Sequence, residues 1–178
     1  AKKPNAVTGV VSVPGDKSIS HRAIILSMIA QGTTWIYNIL DSGDTNKSLN
    51  AAMKLGIECN EKESFLEIKG KGLYGLKDPE KELFFGNSGT SMRLFMGILC
   101  AQKFPSILTG DSSLSSRPME RVADPLRKMG AYIEMENNHA PIQIYPTDKL
   151  LGIRDKLRVP SAQVKSAILL AALYAKSN

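Results

Sequence analysis

The sequence is short of the features that most often announce redox, metal, nucleic-acid or membrane functions. Its two cysteines, Cys59 and Cys100, are far apart and form no metal-ligand or redox spacing. One falls in a strand-like stretch and the other in an apolar helical pattern, so both are expected to be reduced core thiols of a cytoplasmic protein. Aromatic residues make up only 6% of the chain, which leaves few platforms on which bases could stack. The longest unbroken apolar stretch, Ala167 to Ala175, is far too short to span a bilayer. Ala1 to Thr8 lacks the apolar core of a secretory leader. No long run of like charges occurs. The net charge of +6 is spread along the chain, which favours small anionic ligands or a solvated surface over nucleic acid or membrane.

What remains is ordinary for a globular α/β protein. Hydrophobic residues are 43% and charged residues 22% of a 178-residue chain, enough for one domain with a real core. One pattern is used twice and begun a third time. Thr8 to Val13 alternates small and apolar residues and predicts a strand. Ser18 to Ala30 is apolar nearly all round and predicts a buried helix. Thr34 to Leu40 is β-rich, Asp44 to Leu55 is amphipathic, and Gly56 is placed to stop that helix. Ile57 to Cys59 and Phe65 to Ile68 then predict a hairpin around a polar turn.

The second copy runs through a short strand at Leu83 to Phe85, an apolar helix at Thr90 to Ala101 and a strand at Ser106 to Thr109. An amphipathic helix at Pro118 to Met129 follows, closed by Gly130, and then a hairpin of Tyr132 to Met135 and Ile142 to Tyr145. A third copy opens with a strand at Lys156 to Val159 and an apolar helix at Ala162 to Ala175. The unit is βαβαββ, with an offset of about 70 to 74 residues, longer than the usual solenoid periods. The expected fold is α/β, with repeated βαβαββ units, parallel helices buried inside and sheets outside. Two units and a fraction leave apolar helix faces and strand edges uncovered, so this chain alone is expected to self-associate or to be less stable than the full lobe.

Each apolar helix opens with a comparable signal. The first reads Gly15-Asp16-Lys17-Ser18-Ile19-Ser20-His21-Arg22, the second Gly86-Asn87-Ser88-Gly89-Thr90-Ser91-Met92-Arg93, the third Pro160-Ser161-Ala162-Gln163-Val164-Lys165. Small or hydroxyl residues at a helix N-terminus expose free N–H groups and the positive dipole end, which suits an anion. In each, a cation follows a small residue by one helical turn: Ser18 and Arg22, Gly89 and Arg93, Ser161 and Lys165. Any one such start is more often a simple cap. Recurrence in register is what points to a shared anion site. Arg117, opening the second amphipathic helix, adds a guanidinium that can grip a phosphate or carboxylate with two parallel bonds. His21 reads as a helix-start residue without a catalytic role, His139 as part of a polar surface turn, and the methionines as core filler.

The stretches VPGDKSISHRA, GNSGTSMRL, SRPMERVADPLRKMGA and PSAQVKSAILLAALYA resemble, in order and spacing, the signature segments of the EPSP synthases, from about Gly9 to the end of the chain. The resemblance implies two similar lobes of three βαβαββ units each. It also implies transfer of the enolpyruvyl group of phosphoenolpyruvate to the 5-hydroxyl of shikimate 3-phosphate in the shikimate pathway of aromatic amino-acid biosynthesis, with release of phosphate and without a metal or organic cofactor. Carried over by motif, Lys17 would contact both substrates and serve as the catalytic lysine. Ser18 and Arg22 would hold shikimate 3-phosphate. Asn87, Gly89 and Arg117 would hold phosphoenolpyruvate. Ser161, Ala162 and Gln163 would line the shikimate 3-phosphate pocket, with Gln163 reaching the second substrate. Ala162 stands where some members have a second serine, so one hydroxyl contact is lost. Gly89 would act as a size gate for phosphoenolpyruvate and for the inhibitor glyphosate.

The resemblance also divides the chain into residues 1–13, a strand and crossover toward a second lobe, and residues 14–178, a partial substrate-binding lobe. The carboxylate usually given the base role lies in that second lobe, so this chain alone is expected to be inactive, and the full-length enzyme to be monomeric. Two other readings stay open. The related enolpyruvyl transferase acting on a UDP-sugar usually carries a cysteine in its phosphoenolpyruvate loop, where Asp111 to Ser116 has none, and follows its lysine with asparagine, where Ser18 stands. A non-enzymatic phosphate or RNA-end binding module is disfavoured by the scarce aromatics and scattered charge.

Overall fold

The computed structural model of the chain describes residues 6, 8–157 and 160–176. In chain order the elements are α1 (Lys17–Ile29), β1 (Gln31–Tyr37), α2 (Gly43–Lys54), β2 (Glu58–Glu61), β3 (Phe65–Lys71), β4 (Leu83–Phe84), α3 (Gly89–Leu99), β5 (Ser106–Thr109), α4 (Ser112–Ser115), α5 (Glu120–Lys128), β6 (Tyr132–Glu136), β7 (His139–Tyr145) and α6 (Ala162–Ala172). The strands form two sheets, ordered β1-β3-β2 and β4-β5-β7-β6. The repeat is visible in this topology. In the second sheet β4 and β5 are parallel across α3, and β5, β7 and β6 continue antiparallel. The first sheet repeats the β5-β7-β6 part as β1-β3-β2.

The first sheet lacks a counterpart of β4, and here the expected strand at Thr8 to Val13 does not form. The described part of that segment runs unpaired, with Val10 and Val11 fully or largely exposed. It meets the first unit where Asn38 Nδ2 donates to the Val13 carbonyl, one residue past the end of β1 rather than alongside it. An alternating apolar pattern becomes a strand only when an edge accepts its backbone groups and a core accepts its side chains. The strand expected at Lys156 to Val159 is also absent at Lys156 and Leu157, and Arg158 and Val159 lie outside the described residues. The short helix α4 was not expected. It forms where Asp111 caps the segment by accepting from the Leu114 N–H at 2.8 Å and Leu114 is buried.

The helices follow from their patterns. Gly56 and Gly130, at φ of +84° and +101°, sit just past α2 and α5, where a left-handed residue ends a helix at no steric cost. Nine of the eleven residues of α3 are buried, including Met92, Phe95, Ile98 and Leu99, as its all-round apolar sequence requires. α1 and α6 both pack against it, and Ile19, Leu26, Leu169 and Leu173 stay exposed. The closest helix contact is made by a glycine. A Cβ at Gly97 would lie 2.2 Å from the Ala167 carbonyl oxygen, so the α3 and α6 backbones meet only because residue 97 has no side chain. Gly97→Ala is expected to push α6 away and lower stability by about 1–3 kcal/mol, measured as a shift in the urea midpoint. An unchanged midpoint would show that α6 is not held at this contact.

Candidate functional site

Hydrogen bonds between the apolar helices all join their first two turns. Arg22 Nη2 in α1 donates to Ser166 Oγ in α6 at 2.8 Å, and its Nη1 donates to the Ser18 carbonyl at 3.0 Å. Arg93 Nη1 in α3 donates to Gln163 Oε1 in α6 at 2.8 Å, and Gln163 Nε2 donates to Thr90 Oγ1 at 2.9 Å. His21 Nδ1 in α1 lies 2.8 Å from Ser48 Oγ of α2 and 3.2 Å from Ser91 Oγ of α3. Contacts confined to corresponding turns mean that the three helices run parallel and start at the same end. The starts expected to converge therefore do so, and their dipole ends add.

Each start is capped by its own side chain. Asp16 accepts from the Ile19 N–H, Ser88 from Ser91 and Ser161 from Val164. Lys17 and Ser18 are the first exposed residues of α1, and Ala162 plays that part in α6. Lys17 Nζ pairs with Asp44 Oδ2 at 3.1 Å, at the start of α2. Gly89 opens α3 and is buried. A Cβ there would stand 2.8 Å from Arg93 Nη1 and 3.4 Å from Arg117 Nη1, so two guanidiniums flank it. Arg117 Nη2 donates to Asn87 Oδ1, which fixes both beside the start of α3. All the expected residues, Lys17, Ser18, Arg22, Asn87, Gly89, Arg117, Ser161, Ala162 and Gln163, thus lie at one end of the helix layer, on α1, α3, α6 or the turns before α3 and α5. A cavity of about 320 Å³ lies beyond them, lined by Glu120, Arg121, Asp124, Lys128 and Asp155 among others. It carries both signs of charge and is lined by none of those nine residues.

The sequence alone left out the residues that tie these groups together. Asp44, Thr90 and Ser166 carried no signal. Arg93 did carry one, since it stands in register with Arg22. His21 is fully buried, which a helix-start reading did not suggest. Ser48 Oγ, Ser91 Oγ and Ser88 Oγ continue from it in a chain of 2.7 Å contacts, linking α1, α2 and the cap of α3. Burial pushes the His21 pKa down to about 4, against a partial rise from Asp44, so the imidazole is neutral at physiological pH. The cysteines behave as expected of core thiols: burial raises Cys59 to about 11 and Cys100 to about 12.

Such an arrangement defines a class: an α/β lobe of repeated units that gathers helix starts, lysine and arginine at one end, where the geometry suits small anions. Comparison with known proteins narrows it. The profile of the family described as EPSP synthase (3-phosphoshikimate 1-carboxyvinyltransferase) matches residues 1–178, and the chain belongs to that family. It is 50% identical over 176 residues to the 3-phosphoshikimate 1-carboxyvinyltransferase of Salinibacter ruber, covering 97% of this chain and 41% of that relative. With the protein of that name from a Sulfurihydrogenibium species it is 52% identical over 179 residues, again 41% of the relative. The solved EPSP synthase of Acinetobacter baumannii superposes with a TM-score of 0.90 at 49% identity, over 94% of this chain and 38% of that one. The chain thus spans about two fifths of the length of these relatives. No helix among the described residues is long and apolar enough to cross a membrane.

The buried imidazole has a measurable consequence. Unfolded, His21 takes a proton near its ordinary value of 6.5, whereas folded it stays neutral until about 4. Above pH 6.5 both states are neutral and His21 adds no pH dependence. As pH falls from 6.5 to 4 the unfolded chain gains a proton that the folded chain refuses, and stability drops by up to about 2–3 kcal/mol. Below 4 both carry the proton and this loss is complete. His21→Asn is expected to flatten this window in urea titrations run at several pH values. A slope unchanged by the substitution would place the titrating group elsewhere.

Proposed function

We propose that the chain carries the substrate-gathering lobe of a carboxyvinyltransferase. In the full-length protein, this lobe helps to move the enolpyruvyl group of phosphoenolpyruvate onto the 5-hydroxyl of shikimate 3-phosphate, releasing phosphate. The reading is carried by the convergence of three helix starts bearing Lys17, Arg22, Arg93 and Gln163, with Arg117 beside them, in a chain about half identical to enzymes of that name. The reaction needs this combination. Two phosphorylated anions must approach each other, and their repulsion is offset by cations and oriented N–H groups that are already in place.

In this reading Arg22 and Ser18 on α1, with Ser161 and Ala162 at the start of α6, hold shikimate 3-phosphate. Asn87, Gly89 and Arg117 hold phosphoenolpyruvate, and Gln163 and Lys17 stand between the two. Lys17 leaves Asp44 to meet the anions, a small change for an exposed pair worth at most about 1 kcal/mol. The methylene carbon of the enol takes up a proton while the 5-hydroxyl gives up its own and attacks the adjacent carbon. The methyl group so formed then loses a proton as phosphate leaves, which restores the double bond. Both steps need a positioned acid and base. The base is expected from the part of the relatives beyond this chain. In this reading the enzyme works in the cytoplasm, in aromatic amino-acid biosynthesis.

In the full-length protein, phosphate release is expected only when both substrates are present. Arg22→Ala is expected to weaken shikimate 3-phosphate binding about tenfold or more, as loss of a charge-assisted hydrogen bond does. Equal affinity by calorimetry would make Arg22 only a brace between α1 and α6. Gly89→Ala pushes a methyl against both flanking guanidiniums and is expected to raise the glyphosate inhibition constant more than the Michaelis constant for phosphoenolpyruvate. Equal increases would leave Gly89 as a turn residue.

A further inference from the structure

Among the cations of the site, Lys17 pairs with Asp44, whereas Arg22, Arg93 and Arg117 are tied to neutral groups. Among the described residues no carboxylate pairs with Arg93. It is half-buried, and burial, followed by the charges of Arg117 and Arg121, presses its pKa down. An arginine does not give up its proton in the physiological range, so a standing positive charge remains against Gly89. Its one side-chain hydrogen bond to another element goes to Gln163.

That bond fixes the sense of a carboxamide. A glutamine side chain has an accepting oxygen and a donating nitrogen, and either end fits many places. Arginine only donates, so Arg93 can take only the oxygen. Thr90 Oγ1 accepts from the nitrogen on the other side. Turning the amide over would set its N–H groups against the guanidinium N–H groups. With Arg93 in place, Gln163 therefore keeps its Nε2 on the side of Thr90 and the start of α3. Nε2 carries two hydrogens, and the bond to Thr90 uses one of them.

We propose that Arg93 is a positioning residue: it locks the Gln163 carboxamide so that Nε2 donates its second hydrogen to the anion received at the start of α3, and it acts through Gln163 rather than by touching that anion. In the proposed function this anion is phosphoenolpyruvate, and to that extent the inference rests on that reading. The gap at Gly89 serves the same end. A side chain there would displace the Arg93 guanidinium and, with it, the lock.

A double-mutant cycle in the full-length protein tests this. Arg93→Met keeps the apolar stem and removes the lock. It is expected to raise the Michaelis constant for phosphoenolpyruvate about tenfold and to leave that for shikimate 3-phosphate and the melting temperature nearly unchanged. Gln163→Ala is expected to produce a similar rise. The double variant should rise no further than the larger single one, because the two residues act as one unit. Arg93→Lys, which also only donates, should recover part of the loss. Multiplying effects in the double variant, or an unchanged constant in Arg93→Met, would overturn the proposal. Orthophosphate titration by calorimetry on the same four proteins runs the cycle without turnover. If the wild type releases no phosphate from the two substrates, the functional reading fails, and the orthophosphate cycle still decides Arg93: non-additive losses support the lock, additive losses or none sink it.

Discussion

Positive ends repel, and this lobe brings several of them together. Three parallel helices start at one end, and Lys17, Arg22, Arg93 and Arg117 stand within their first turns or beside them. Filling the space with carboxylates would relieve the repulsion but cancel the positive charge on which the proposed anion site depends. The structure uses neutral groups for most of the ties instead. Arg22 is held by a serine hydroxyl and a backbone carbonyl, Arg93 by a carboxamide, and Arg117 by the Asn87 carbonyl oxygen. Each fixes a guanidinium in direction without cancelling its charge. The Lys17–Asp44 pair is the departure, and it is exposed and weak.

The same logic explains the buried histidine. A protonated imidazole among these cations would add to the repulsion, and burial holds His21 neutral instead. Neutral, it can join the Ser48, Ser91 and Ser88 hydroxyls and couple the register of α1 to the cap of α3. The positions of the starts of α1 and α3 are then not independent. Close backbone contact does the same on the other side, where Gly97 lets α3 and α6 approach until Gln163 can reach both Thr90 and Arg93. Packing behind the site thus sets the spacing of groups within it.

The repeated unit gives these demands one solution. β1-β3-β2 and β5-β7-β6 are the same hairpin-and-crossover arrangement, each covering one side of the helix layer. The order of strands places the helix starts together without any side chain having to bridge a long gap. Exposed apolar residues on the outer faces of α1 and α6, such as Ile19, Leu26, Leu169 and Leu173, mark where this layer has no cover among the described residues.

Periodicity and caps made most of this legible in the sequence. The five longer helices and the strands of the second unit, the stops at Gly56 and Gly130, and the register of the three helix starts are all local signals, because 3.6- and 2-residue periods and left-handed glycines act over a few neighbours. The nine expected site residues were legible for the same reason, each lying inside a short motif. Other features depend on partners distant in the chain. Thr8 to Val13 has the pattern of a strand but no edge to join. His21 looks like any polar residue at a helix start until Ser48 and Ser91, from two other helices, enclose it. Arg93 shows its place in the repeat from sequence, yet its hold on Gln163 spans 70 residues and exists only because two glycine-spaced helices pack side by side. Local sequence determined which residues could form an anion site. Tertiary packing decided which way they face, which are charged and which hold the others in place, since those properties are set by neighbours that the fold alone brings together.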